Sequence, residues 1–425
     1  MAKTTKTEEK KTATIVTSGA KAAEAAELIK STLAATKETT FIPTGNIGFD
    51  FALTPEGKGL PLGASILLWA DPSSGKSTLL TDISKRLLDS SKRANVPFKV
   101  LYIAAEGSRQ LMADMGLKEY MDSNDFIYVE RALTWRQVEM LYNAILNGHP
   151  DYKDVKVVII DSVNNILSDA NVEKSAADGD FGTRAKERST FYSKYLPLCK
   201  EHEINTFLIS QVRHNQETAG MMYGEKKKAA VSYADKHNVD VILKCTKRSA
   251  SNELEAGEEY IPTLFEAKHK NTERFIIKLS SDATDCKNRY CSGYPSEVFM
   301  IKGKGADNTY VVRKLLEVNR FVKSGGGWYS FSDEIVAALE LPSGNLRKEA
   351  FLNAIKTNIG KIVKYLKDEG LYSLLIKDRT SVQEVTEEPS EETSFANEIL
   401  QESSEIAETV EGKPAEKKTT KKGSK

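Results

Sequence analysis

The sequence predicts an α/β protein built on a mostly parallel sheet with helices on both faces, and three observations carry that prediction. Strand-length and helix-length segments alternate from Ser65 to Ser210. The strand segments are apolar on both faces, as a sheet covered by helices on each side requires. The intervening segments place apolar residues at helical spacing. The chain has 425 residues, enough for two or three folding units.

Residues 1–17 are rich in Lys and Thr and read as disordered. Ser18–Ala35 reads as a short outer helix, with Leu and Ile spaced along an Ala-rich run. Thr44-Gly45-Asn46 opens a helix carrying Ile47, Phe49, Phe51 and Leu53, and three glycines then lead into the strand Ser65–Trp69. The alternation continues with helix Ser77–Asp89, strand Lys99–Ala104 and helix Arg109–Met115. Strand Phe126–Val129, helix Thr134–Leu146, strand Val157–Ile160, helix Ala185–His202 and strand Thr206–Ser210 follow. Val239–Lys244, Thr263–Ala267 and Phe275–Ser280 are expected to extend the sheet with antiparallel pairing.

The character changes after the run Gly325-Gly326-Gly327-Trp328. Asp333–Leu339 and Lys348–Glu369 read as helices, the second stopped by Gly370. Arg347, Lys348, Lys356, Lys361, Lys364 and Lys367 make this small helical unit basic. The predicted organisation is therefore an N-terminal tail and association helix (1–39), a core (40–326), a small basic C-terminal domain (327–379) and a disordered acidic tail with a Lys-rich end (380–425). Positive and negative side chains balance overall, 60 against 60, so net charge says nothing about partners. No apolar run approaches the ~20 residues a spanning helix needs. The N-terminus has lysines without an apolar core behind them, unlike a secretory signal. Four cysteines in this length make no disulfide framework, and Cys286-x4-Cys291 lacks a second pair for a metal site.

The strongest chemical signal is Ala70-Asp71-Pro72-Ser73-Ser74-Gly75-Lys76-Ser77, between a buried strand and a helix. That is the setting of a phosphate-binding P-loop, G-x-x-x-x-G-K-[ST]. The backbone N–H groups of Ser73 to Ser77 would wrap a β-phosphate, helped by the positive helix end. Thr78 continues the cradle. Lys76 would reach the β- and γ-phosphates, and the Ser77 hydroxyl would coordinate Mg2+. Ala70 stands in place of the first glycine, at a strand end where a methyl group is tolerable. Asp161, at the tip of a buried strand, is the expected outer-sphere Mg2+ ligand, and Glu106, just past another, suits activation of an attacking water.

Taken together, residues 40–330 resemble the bacterial RecA recombinases and their phage UvsX relatives. Gly59-Leu60-Pro61-Leu62-Gly63, Ala105-Glu106, Ile160-Asp161-Ser162-Val163, Ile209-Ser210-Gln211-Val212-Arg213, Lys268-His269-Lys270 and Gly327-Trp328-Tyr329-Ser330 follow the family's motifs in the same order. The resemblance implies a RecA-type P-loop ATPase core using ATP and Mg2+. It implies catalytic roles for Glu106, Lys76 and Gln211, the last sensing the γ-phosphate. Lys268 and Lys270 resemble lysines that reach the neighbouring subunit's ATP, the logic of an arginine finger.

Two segments resemble the family's single-stranded DNA loops. The first spans 168–184, with Arg184 at its end and Lys186 two residues beyond it. The second spans 214–230, preceded by Arg213, with Met222, Tyr223, Lys226, Lys227 and Lys228 as its apolar wedge and cationic cluster. Two departures stand out. Ala229-Ala230 replaces the family's Gly-Gly, and no aromatic matches the adenine-stacking tyrosine, its neighbourhood holding Met112 and Ala113. The implied protein is cytoplasmic, of a bacterium or of its host for a phage relative. It forms helical homo-oligomeric filaments on single-stranded DNA, pairs with homologous duplex DNA, and has loader or single-strand-binding proteins as candidate partners and no membrane. A ring-forming RecA-fold helicase or hexameric motor ATPase is the competing expectation.

Overall fold

The computed structural model describes residues 39–105, 109–169, 181–214, 227–229, 232–250, 274–283, 285–292 and 295–374. A short strand β1 (Phe41–Ile42) precedes helix α1 (Ile47–Leu53), whose N-cap Asn46 accepts from the Phe49 N–H. Then come β2 (Leu60–Pro61), β3 (Ser65–Ala70), α2 (Lys76–Ala94), β4 (Lys99–Ala104), α3 (Arg109–Asp114), α4 (Lys118–Asp122) and β5 (Phe126–Val129). Helix α5 (Trp135–Leu146) starts at Thr134 with a capping box, Thr134 and Gln137 satisfying each other's backbone N–H groups. It leads to β6 (Val155–Asp161), α6 (Phe181–Glu201), β7 (Asn205–His214), β8 (Lys227–Ala229), α7 (Tyr233–Asn238) and β9 (Val241–Ser249).

The later elements are β10 (Arg274–Ser280), β11 (Lys287–Asn288), β12 (Ser296–Ile301), β13 (Gly305–Ala306), α8 (Thr309–Val318), β14 (Val322–Gly325), β15 (Trp328–Phe331), α9 (Asp333–Leu339), β16 (Leu346–Arg347) and α10 (Lys348–Asp368). The main sheet runs β13-β12-β10-β9-β3-β7-β6-β4-β5, with β11 beside β9 and β8 beside β7. From β9 to β5 the pairing is parallel. This is the α/β, RecA-type P-loop architecture the sequence predicts.

Alternation along the strands builds the two covering layers. Ile66 and Leu68 of β3, Val100 and Tyr102 of β4, and Val157 and Ile159 of β6 pack against α2 through Leu79, Leu80 and Ile83. Their neighbours Leu67, Trp69, Leu101, Ile103, Val158 and Ile160 face Trp135, Val138 and Tyr142 of α5 and Phe191 and Tyr195 of α6. Each such side chain contributes about 1.5–3 kcal/mol when fully buried. A third core joins α8, α9 and α10 to the sheet through Ile276 and Phe299 and to α1 through Phe51, and includes the fully buried Phe351.

Three expectations need correction or extension. The strand expected at Val239–Lys244 starts two residues later and lies parallel to β3, through Ile66↔Val241 to Trp69↔Lys244; the antiparallel pairs of this sheet are β9 with β10, β10 with β12, β12 with β13, β9 with β11 and β7 with β8. Strand β12 and helix α8 were not foreseen. The glycine run at 325–327 is the turn of a hairpin, with Gly325 paired to Trp328, so the line drawn at 326/327 falls within the three-stranded sheet β14-β15-β16. The expected helix at Ser18–Ala35, strand at Thr263–Ala267 and acidic tail lie outside the described residues. No helix among the described residues is long and apolar enough to cross a membrane.

Candidate nucleotide site

The C-terminal ends of β3, β7 and β6 converge on one cavity. Because β7 lies between the other two, the loop after β3 and the tip of β6 face each other across the end of β7. Ligands bind at this end of an open α/β sheet, where the chain leaves successive strands in different directions. Ser73, Ser74, Gly75, Lys76, Ser77 and Thr78 line a cavity of about 420 Å³ together with Asp161, Gln211, Leu111, Lys247, Phe275 and Lys302.

The loop's shape follows from its residues. Gly75 has φ +91° and caps α2, and a Cβ there would stand 2.7 Å from the Phe275 ring, so only glycine fits. Ala70 closes β3 as a buried strand residue, which is why its methyl group is accommodated where the P-loop pattern has glycine. The first N–H groups of α2 have no earlier turn to bond to and lie at its positive end, a ready anion cradle.

Lys76 is only 6% exposed. Its ammonium donates to the Ala70 carbonyl at 3.2 Å, the Asp71 carbonyl at 3.0 Å and Ser74 Oγ at 3.3 Å. These neutral acceptors hold the cation within its own loop, where a phosphate can compete for it. Asp161 is 3% exposed, and its Oδ2 accepts two hydroxyl donors, Ser77 Oγ at 2.6 Å and the Tyr102 phenol at 2.7 Å. Burial, and then the neighbouring Asp161 carboxylate, push the Tyr102 phenol well above its usual range. A hydroxyl beside a carboxylate is the hard-oxygen donor set that Mg2+ prefers, so these residues fit the ion. Gln211 lies in β7 opposite Ala70 of β3 and reaches the same cavity.

The remaining predicted residues divide by position. Glu106 lies outside the described residues, although the Ala105 N–H just before it donates to the Asp161 carbonyl at 2.7 Å. Lys268, Lys270, Met222, Tyr223 and Lys226 also lie outside them. Arg184 is half-buried and Lys186 exposed on the first turns of α6. Arg213 pairs with Lys228 and His214 with Lys227 where β7 meets β8.

The stems of the two candidate loops are tied together. Ser168 Oγ donates to Glu187 at 2.9 Å, joining the start of the first loop to α6. One residue on, Arg188 forms a buried ion pair at 3.0 Å with Asp235 of α7, which follows the second loop. Cys245 is buried in β9, which pushes its thiol up to about 12, and Cys286 accepts from the Trp69 indole at 3.3 Å. No cluster of three metal-ligating side chains occurs among the described residues.

Sequence reasoning missed Tyr102, Lys247, Phe275 and Lys302. Tyr102 carried a signal, a phenol in an otherwise aliphatic strand that needs a partner when buried. Lys247 and Phe275 come from β9 and β10 and Lys302 from the turn after β12, all distant in sequence, and no local pattern marks them.

Comparison with known proteins agrees with this geometry. An AAA domain family matches residues 56–217, from ahead of the P-loop strand to just past β7. The mitochondrial DNA repair protein recA homolog of Dictyostelium discoideum is 22% identical over 86% of this chain and 73% of its own length. Protein RecA of Colwellia psychrerythraea is 23% identical over 70% of this chain and 76% of its own. Protein RecA of Thioalkalivibrio sulfidiphilus is 22% identical over 79% and 86%. These findings support a RecA-family P-loop ATPase. The RecA-type core accounts for the placement of the Lys76, Ser77 and Asp161 side chains at the ends of two parallel strands.

Proposed function

We propose that this chain is an ATP-dependent homologous-recombination protein. It assembles as a helical filament on single-stranded DNA, pairs that strand with homologous duplex and exchanges strands, with ATP hydrolysed between subunits. The observation that carries this reading is strand β7. Its Gln211 lines the phosphate cavity, and two residues later the strand enters the candidate DNA loop through Arg213 and His214. A side-chain amide can donate to a γ-phosphoryl oxygen and turn when that oxygen leaves. One strand thereby connects nucleotide state to DNA contact.

In this mechanism the α2 N-terminus and Lys76 hold the β- and γ-phosphates, while Ser77 and Asp161 hold Mg2+. The bound ion would neutralise charge gathering on the phosphoryl oxygens. Glu106 orients and deprotonates the attacking water. Lys268 and Lys270 from an adjoining copy supply positive charge in trans, making hydrolysis depend on assembly. Arg184, Lys186, Arg213 and Lys226 to Lys228 contact the DNA backbone, and Met222 and Tyr223 separate base steps. The exposed lysines of α10 capture duplex. The cytoplasm is the compartment this reading expects.

Electron microscopy of the protein with single-stranded DNA and a slowly hydrolysed ATP analogue tests the assembly. The expected result is extended helical filaments that require both ligands. Closed rings without filaments would end the recombinase reading and favour a ring helicase or hexameric motor.

A further inference from the structure

We propose that Tyr102 is a positioning residue for the nucleotide-bound metal, its hydroxyl fixing the Asp161 carboxylate against Ser77. This rests on the nucleotide reading above and adds a residue to it. Tyr102 sits on β4, whose other inward and outward neighbours are aliphatic. It is 0% exposed, with the Phe126 ring 5.9 Å and the Tyr128 ring 5.7 Å from its own. A phenylalanine would fill the same space, so packing alone does not call for the hydroxyl.

The geometry gives that hydroxyl a task. A carboxylate at a strand tip turns easily about its last bond, because that torsion is broad. Here Oδ2 receives one hydroxyl from helix α2, Ser77 at 2.6 Å, and one from strand β4, Tyr102 at 2.7 Å. Hydroxyl donors to a charged acceptor at this distance are among the strong ones. Two donors from separate elements restrict how the carboxylate can turn, and removing the phenol removes the donor that comes from β4. Partners behind a metal-site carboxylate typically matter 10- to 100-fold in metal affinity.

The test is a Mg2+ titration of the full-length protein with fluorescently labelled ADP, following Mg2+-dependent binding rather than turnover. Tyr102→Phe should bind the label without Mg2+ as the wild type does. Its Mg2+ midpoint should rise by about tenfold. Tyr128→Phe removes a hydroxyl from the same ring cluster, one without a hydrogen-bond partner among the described residues, and should leave the midpoint in place. An unchanged midpoint in Tyr102→Phe, even with a lowered melting temperature, would show a purely structural phenol and overturn the inference. Equal shifts in both variants would mean general loosening and overturn it too. A wild type that binds no labelled ADP at any Mg2+ concentration would sink the nucleotide reading itself, and this inference with it.

Discussion

The phosphate end of the sheet and the C-terminal region handle charge in opposite ways. At the phosphate end Lys76 and Asp161 are buried, and they are held from β3, the loop after it, α2 and β4. In the C-terminal region the apolar side chains take the interior, and Arg347, Lys356, Lys361, Lys364 and Lys367 stand exposed over it. Trp328 is also exposed there, with the Arg347 guanidinium 4.5 Å from its ring. A buried charge acts through fixed geometry, so losing it removes a function outright and salt hardly matters. An exposed charge acts through its field, so its loss is graded and screened.

The comparison is broken first at Lys76. Lys76→Ala should lower ATP turnover by at least about 100-fold, the scale of losing one donor to developing charge. Steady-state hydrolysis measures it, and a loss that high salt mimics in the wild type would place the lysine in the exposed class. A melting temperature matching the wild type would show that the loop keeps its shape without the ammonium.

Asp50 sharpens the comparison, being a buried acid outside the phosphate site. It lies in α1, where it accepts from the Thr44 N–H at 3.1 Å and the Thr44 hydroxyl at 2.6 Å. Burial raises its carboxyl to about 7, against the pull of those two bonds and of Lys367 and Arg86. The folded state therefore favours the protonated form. That contribution is complete below the ordinary value near 3.8 and is lost as pH climbs through about 7. Relative to Asp50→Asn, the wild type should lose about 2–4 kcal/mol of stability between pH 4 and 7 and nothing further above that. Urea unfolding of both proteins across this range measures the difference, and parallel stability profiles would contradict it.

The smallest effects belong to the exposed lysines. Replacing Lys356, Lys361 and Lys364 together by Ala should weaken duplex DNA binding several-fold and lower the salt slope by about one for each phosphate no longer neutralised. ATP turnover without DNA should stay at the wild-type rate. An unaltered slope would move the duplex-binding surface away from α10.

Legibility in the sequence follows the same division. Strands β3, β4 and β6 are readable because burial on both faces leaves apolar runs. Helix α5 is readable from Thr134 onward because its cap is written locally. The direction of β9 is not, since an apolar run carries no sign of parallel or antiparallel pairing. The hairpin at Gly325–Gly327 reads as a break because glycine permits a tight turn and a chain boundary equally. In the site, Ser77 and Asp161 are legible because each ends or follows a buried strand in a known pattern. Tyr102 reads as core, since its partner lies on β6, 59 residues away. Only the register Ala104↔Asp161 brings that carboxylate within reach of the phenol.

ATP hydrolysis measured with and without single-stranded DNA tests the central claim most directly. The account predicts slow turnover by the protein alone and a large stimulation by DNA that Lys76→Ala abolishes. A monomeric preparation hydrolysing ATP at its full rate, indifferent to added DNA, would contradict it.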